Sequence, residues 1–175
     1  MTEPSATPAA AELAPLQAVF REVMAAVVTP VSVVTAMADG LPHGTTVSAF
    51  ASLSMEPPMV LVSLDRSSEL LGMVREQRRF GLNVLSSSQS ALALTFARKG
   101  GVGKFAGVRW DVEAGVPRLP DAGGFLACEV TDLVDGGDHV IVLGLVQAAD
   151  TISGPPLTYH GRVFGTHAAL AEELA

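Results

Sequence analysis

A mainly β fold, a β-barrel covered by a few helices, is predicted by three observations. Runs of β-branched and apolar residues outnumber amphipathic helical ones, turn signals let most sequence neighbours pair antiparallel, and no regular strand–helix alternation suggests a doubly wound sheet. With 175 residues, 49% of them hydrophobic and only 17% charged, the chain closes one sizeable core but hardly two. A tail at residues 1–13, rich in Ala, Pro, Thr and Glu, is expected to precede one domain at residues 14–175. The mean hydropathy of +0.40 would leave a lone subunit with an apolar surface, so burial against a second copy is expected.

Pro15, a favourable first helical residue, opens an amphipathic helix in which Leu16, Val19, Phe20, Val23, Met24 and Val27 recur at helical spacing. The helix ends before Pro30. Residues 31–38 read as a strand closing on Asp39-Gly40, a hairpin signal, and a second strand over residues 43–54 answers it. Glu56-Pro57-Pro58 cannot sit inside a ladder and turns the chain into a third strand at 59–64. Leu70, Leu71, Met73 and Val74 mark a short helix capped near Ser67 or Ser68, and residues 80–85 form a fourth strand. Ser86-Ser87-Ser88 precedes a helix over 91–97, then a glycine-rich loop at 100–107 and a turn-rich stretch to Gly124. Residues 125–134 and 139–148 form a long hairpin across Asp135-Gly136-Gly137-Asp138, and 157–164 supplies a last short strand.

Several function classes lose support at once. The longest apolar stretch, 23–37, is interrupted by Thr29, Pro30, Ser32 and Thr35 and falls short of the roughly 20 residues of a membrane helix, so no membrane association is expected. No basic residue precedes Arg21, neither a secretory nor a transit signal fits, and a cytoplasmic location is expected. Cys128, the one cysteine, excludes an internal disulfide and reads as a packing residue in an apolar strand. The net charge of −7 and the lack of any basic cluster beyond Arg75, Arg78 and Arg79 argue against a nucleic-acid partner and for small molecules. His43, His139, His160 and His167 lack metal-binding spacing, and no Gly-x-Ser-x-Gly elbow occurs. Gly100-Gly101-Val102-Gly103-Lys104-Phe105 is not a P-loop, which needs glycine where Arg98 stands and Ser or Thr where Phe105 stands.

Period-two alternation in the second strand puts Thr46, Ser48, Ser52 and Ser54 on one face, interrupted only by Phe50. Two readings of this row stand side by side: an ordinary solvent-exposed face, or a bed of hydrogen-bond donors for a flat heteroaromatic or phosphorylated ligand. Ser63, Asp65, Ser67 and Ser68 would extend such a bed, and a helix starting at Ser67 or Ser68 would favour a phosphate. Lys104 is the natural phosphate contact if the glycine-rich loop acts as a lid; the competing reading is an ordinary lone surface lysine. His139 stands where a loop enters a strand, a position from which a side chain can face a pocket on a rigid support, although a histidine at a strand start is more often a surface or packing residue.

The segments His43-Gly44-Thr45-Thr46-Val47-Ser48-Ala49-Phe50, Ser52 to Val62 with its Glu56-Pro57-Pro58, Phe80-Gly81-Leu82-Asn83-Val84-Leu85, Lys104-Phe105-Ala106-Gly107-Val108 and Gly137-Asp138-His139-Val140 through Gly144 are together similar to the short-chain flavin reductases. These are the reductase partners of two-component flavin-dependent monooxygenases. The match runs from Phe20 to Gly165 in the family's order, and it most resembles the actinomycete antibiotic-pathway reductases. The resemblance implies an FMN-binding split β-barrel of Greek-key topology in a homodimer, with FAD or FMN near the subunit interface and NADH or NADPH as reductant. It places Thr46, Val47, Ser48 and Ala49 at the isoalloxazine edge, with Ser52 in the same row. It places Ser63, Leu64, Asp65, Ser67 and Ser68 along the ribityl chain and phosphate, and counts Lys104 and Phe105 among the flavin-binding residues. His139 would stand beside the nicotinamide as the catalytic residue, with Tyr159 and Arg162 bordering that pocket. Leu145 replaces a frequent Glu and Phe164 a frequent Tyr, which bears on dinucleotide preference. The implied activity is NAD(P)H:flavin oxidoreduction supplying free reduced flavin to a monooxygenase. A tightly FMN-binding electron carrier or sensor without NADH turnover is the alternative.

Overall fold

The computed structural model describes residues 10–169. The chain runs α1 (Ala10–Ala25), β1 (Thr29–Pro30), β2 (Ser32–Ala38), β3 (Leu41–Val47), β4 (Phe50–Met55), β5 (Pro58–Asp65), α2 (Glu69–Gln77), β6 (Arg79–Val84) and α3 (Ser90–Ala97). It continues through a 3-10 turn at Gly101–Phe105, β7 (Asp111–Glu113), β8 (Val116–Arg118), β9 (Gly124–Gly136), β10 (His139–Thr151), β11 (Thr158–His160) and β12 (Val163–Gly165). The fold is mainly β with a few helices.

Seven strands form one antiparallel sheet in the order β3-β2-β6-β9-β10-β5-β4. Its two edge strands, β3 and β4, are separated in sequence by Ser48 and Ala49 alone, so the sheet must curl until its edges meet. No ladder joins those edges among the described residues; the chain itself bridges them, and the Ser63 amide donates to the Ala49 carbonyl at 2.8 Å. Inside the curl lie Val34, Ala36, Val62, Leu64, Phe80, Leu82, Val140 and Val142, with Leu70, Leu71 and Val74 of α2. On the outer side Val31, Val33 and Leu85 pack against Ala93 and Phe96 of α3, and Phe105 of the glycine-rich turn joins them. Core lies on both faces of β2, so Ser32 to Ala36 are all buried there, without the alternation of a half-exposed strand.

Local chemistry explains most elements. Asp39 and Gly40 both take positive φ, 51° and 74°, as a two-residue hairpin turn demands. Ser68 caps α2 by accepting from the Leu71 amide. The predicted strand over 43–54 is in fact two strands, β3 and β4, because the chain leaves one sheet edge and enters the other at Ser48-Ala49. The turn-rich stretch before Gly124 holds the β7–β8 hairpin, whose Ala114-Gly115 turn is not one of the usual hairpin dipeptides. The final segment is likewise a hairpin, β11–β12, with β1 paired on its outer side. The first helix begins at Ala10, not Pro15, so the boundary expected after residue 13 falls inside it; residues 1–9 of the expected tail lie outside the described residues. The apolar face of α1 points outward, leaving Leu16, Val19, Phe20 and Val23 each about 60% exposed. No helix of the described residues is long and apolar enough to cross a membrane.

Candidate functional site

Two adjoining cavities open where β5 runs into α2. The first, about 230 Å³, is lined by Thr45 to Ala49, by Ser63, Leu64 and Asp65 of β5, by Ser68 and by His139. The second, about 370 Å³, shares Thr45, Asp65 and Ser68 with the first and adds His43, Ser67, Glu69, residues 97–101 and Lys104. Thr46, Val47, Ser48, Ala49, Ser63, Leu64, Asp65, Ser68 and His139 thus converge on the first cavity, with Ser67 and Lys104 in the second. Ser52, Phe105, Tyr159 and Arg162 line neither. Ser52 is exposed on β4 opposite Val60, because the break at Ser48-Ala49 and a register irregularity between Ser52 and Ser54 reset the alternation. Phe105 is buried edge-on against Phe96, 4.8 Å between centroids, and also packs on Trp110. Tyr159 packs on Phe164, and Arg162 pairs with Glu22 of α1.

The walls are set by long-range pairing. His139 opens β10 opposite Asp65, the last residue of β5, so the antiparallel ladder places the two side by side. Arg66 pins the β9–β10 turn to this end: its amide donates to the Asp138 carbonyl at 2.9 Å and its guanidinium to Asp135 at 2.8 Å. His139 Nδ1 lies 2.8 Å from the Asp138 carboxylate, which can only accept, so Nδ1 carries a proton and donates to it while the carboxylate fixes the ring's orientation. Asp65 Oδ1 accepts from both the hydroxyl and the amide of Ser67, at 2.6 and 2.7 Å. These bonds, with smaller help from His139 and Lys99, hold its carboxyl below the ordinary range. The turn they shape presents Ser68 and the positive end of α2 to both cavities. The hydroxyl of Thr46, expected to face a ligand, donates instead to the Ala93 carbonyl of α3 at 2.6 Å. Thr45, which the same alternation puts on the opposite face from Thr46, lines both cavities.

His43, Glu69, Arg98 and Lys99 were not assigned to the site from sequence; the available signals were the place of Arg98 and Lys99 beside the glycine-rich loop, of Glu69 next to Ser68, and of His43 at the head of a motif-bearing segment. His43 is 5% exposed and its Nδ1 has no hydrogen-bond partner among the described residues, while Nε2 stands 3.9 Å from Glu69. Burial, and then the charge of Lys104, push its pKa below 6.5, against an opposing pull from Glu69. The unfolded chain therefore takes up a proton first as pH falls, and stability declines from about pH 6.5 down to the folded value. His43→Gln should flatten this decline, which one proton limits to about 1.4 kcal/mol per pH unit. Urea unfolding between pH 7 and 5 checks it; parallel curves for the two proteins would refute it.

Residues 24–168 match the family described as the flavin reductase like domain. The chain is 41% identical over 149 residues to the reductase component of a 4-nitrophenol 4-monooxygenase/4-nitrocatechol 2-monooxygenase of Rhodococcus opacus, covering 85% of this chain and 80% of that one. It is 37% identical over 163 residues to an NADH:riboflavin 5'-phosphate oxidoreductase of Streptomyces pristinaespiralis, covering 89% and 91%. A solved structure of the Streptomyces globisporus NADH:FAD oxidoreductase SgcE6, in complex with NAD and FAD fragments, superposes with a TM-score of 0.81 at 28% identity, covering 97% of this chain and all of that one.

Proposed function

The chain belongs to the flavin reductase like domain family, and on that premise we propose that it is an NAD(P)H:flavin oxidoreductase that supplies reduced FAD or FMN to a separate monooxygenase. The observation that carries this reading is the meeting, in one cavity, of the Ser48-Ala49 link, the β5 end and His139. The donor set suits a flavin: hydroxyls and main-chain groups line the ring-sized space, and the N-terminus of α2 adjoins it for a phosphate.

When bound, flavin supplies the acceptor at N5 for the hydride of a nicotinamide. The chain's own residues orient and desolvate. Val47 to Ala49 would border the ring edge, Ser63 to Asp65 the ribityl chain, and Ser67 and Ser68 the phosphate. His139, steered by Asp138, offers Nε2 to the carboxamide or ribose of the nicotinamide. Such a site works mainly by holding donor and acceptor in contact, so no essential proton donor is required.

The finer architecture is a split β-barrel in a homodimer, a reading supported by the curl of the sheet and by the outward apolar face of α1. Arg162 pairs with that helix and Tyr159 with β1, the strand that follows it, so a role for them at the nicotinamide would be a role at or across the subunit boundary. A cytoplasmic location and a place in an actinomycete antibiotic pathway complete the reading.

Purified protein mixed with excess FAD or FMN and NADH should consume the dihydronicotinamide absorbance catalytically and sediment at twice the chain mass. A yellow protein without turnover would instead be an electron carrier. His139→Ala should raise the NADH KM about tenfold, the worth of one hydrogen bond, with flavin affinity unchanged. If neither parameter moves, His139 does not serve the nicotinamide.

A further inference from the structure

Lys104, the natural phosphate contact on sequence, is engaged elsewhere. Its Nζ donates to the carbonyl of Gly44 in β3 and to that of Phe96 in the last turn of α3, each at 3.1 Å. Both residues are buried, and Phe96 is fully so. A cation there also answers the negative end of the helix. Nearby, the Thr46 hydroxyl donates to the Ala93 carbonyl, and the Thr45 hydroxyl reaches the Phe96 carbonyl at 3.5 Å. The seam is close: a Cβ on Gly44 would lie 3.0 Å from the Phe96 ring. Strand β3 continues from this seam directly into Val47 and the Ser48-Ala49 link that line the first cavity. Arg98 and Lys99 line the second cavity and form no ion pair among the described residues, so positive charge for a phosphate is available without Lys104.

We propose that Lys104 is a positioning residue for the flavin and not a contact of its phosphate: by bridging Gly44 and Phe96 it fixes β3 on α3, and so fixes the strand end against which the ring lies. The proposal rests on the flavin-binding reading above. Burial, which lowers the Lys104 pKa, agrees with an ammonium enclosed by protein groups.

The decisive comparison is FMN against riboflavin, which lacks the phosphate. In Lys104→Met, which keeps the long stem and deletes the charge, both affinities should fall by about tenfold, the effect of leaving a buried carbonyl unpaired, and their ratio should stay within about twofold of wild type. Lys104→Arg, with donors for both carbonyls, should restore both. Titrations are made at a temperature where circular dichroism shows every protein folded. A loss confined to FMN would overturn the proposal in favour of a phosphate contact. A lowered Tm with both affinities intact would overturn it in favour of a purely structural tie. If Lys104→Met does not fold, Lys104→Gln, which deletes the charge but keeps an N–H donor, carries the same ratio test. A wild-type protein that binds neither flavin would instead refute the reading beneath the proposal, a result separable from the other two.

Discussion

Asn83→Ala should lower folding stability by about 3–5 kcal/mol, because Asn83 satisfies buried groups from three directions that have no water to turn to. It is fully buried on β6. Its Oδ1 accepts from the Leu119 amide at 2.8 Å, and its Nδ2 donates to the Val33 carbonyl at 3.2 Å and toward Thr35 Oγ1 at 3.3 Å. Thr35 in turn donates to the Pro117 carbonyl at 2.6 Å, so one network joins β2, β6 and the strand end at β8. Truncation strands the Leu119 N–H and opens a void that Val33 and Phe125 cannot fill without moving β strands. For a chain of this size the Tm should fall by roughly 6–20 °C, measured at one protein concentration so that any subunit association is held constant. A loss under about 1 kcal/mol would mean that water or relaxed backbone replaces the side chain, contrary to the network described.

Gly144→Ala should destabilise by about 3 kcal/mol through overpacking, although it adds only one methyl group. A Cβ at this position of β10 would sit 2.5 Å from Cζ and 2.6 Å from Cε1 of Phe80, and 3.0 Å from Cβ of Cys128. Phe80 is fully buried in the centre of the curled sheet and cannot swing away, and Cys128 lies on β9 beside it. The ladder between β9 and β10 already shifts register next to Gly144, so the backbone there bends to admit the ring. A double variant, Gly144→Ala with Phe80→Leu, should recover part of the loss, because shrinking the ring relieves the clash that the methyl creates. Strictly additive losses in urea unfolding would show that Phe80 is not what the methyl strikes.

Cys128 also illustrates how far a single residue could be read in advance. Its apolar strand context marked it as a packing residue, and the structure buries it at the Phe80–Gly144 contact, with burial pushing the thiol pKa up to about 12. The Ser68 cap, the Asp39-Gly40 turn and the β9–β10 hairpin were legible for the same reason: each is decided by neighbours a few residues away. The hydroxyl row was legible only as composition. Thr46 and Ser48 do lie at the cleft, but the row is not one face, because alternation holds only while a strand runs unbroken. Nothing in the order of hydroxyls says that the chain changes sheet edges at Ser48-Ala49.

By itself, then, the amino-acid sequence determined most of the strands and helices, the turns at Asp39-Gly40 and between β9 and β10, and which motif-bearing stretches belong to a flavin reductase. Local steric preference, capping and periodicity act over a few residues and need no knowledge of the rest of the chain. Only the tertiary structure decided what each exposed or buried face would meet. It turned the α1 stripe outward, spent the Thr46 hydroxyl on α3, committed the Lys104 ammonium to Gly44 and Phe96, and set His139 against Asp65 across a ladder joining residues 74 positions apart. Those outcomes depend on long-range pairing, in which a donor or an apolar face takes whichever partner the folded sheet brings within reach, and that partner is not encoded beside it.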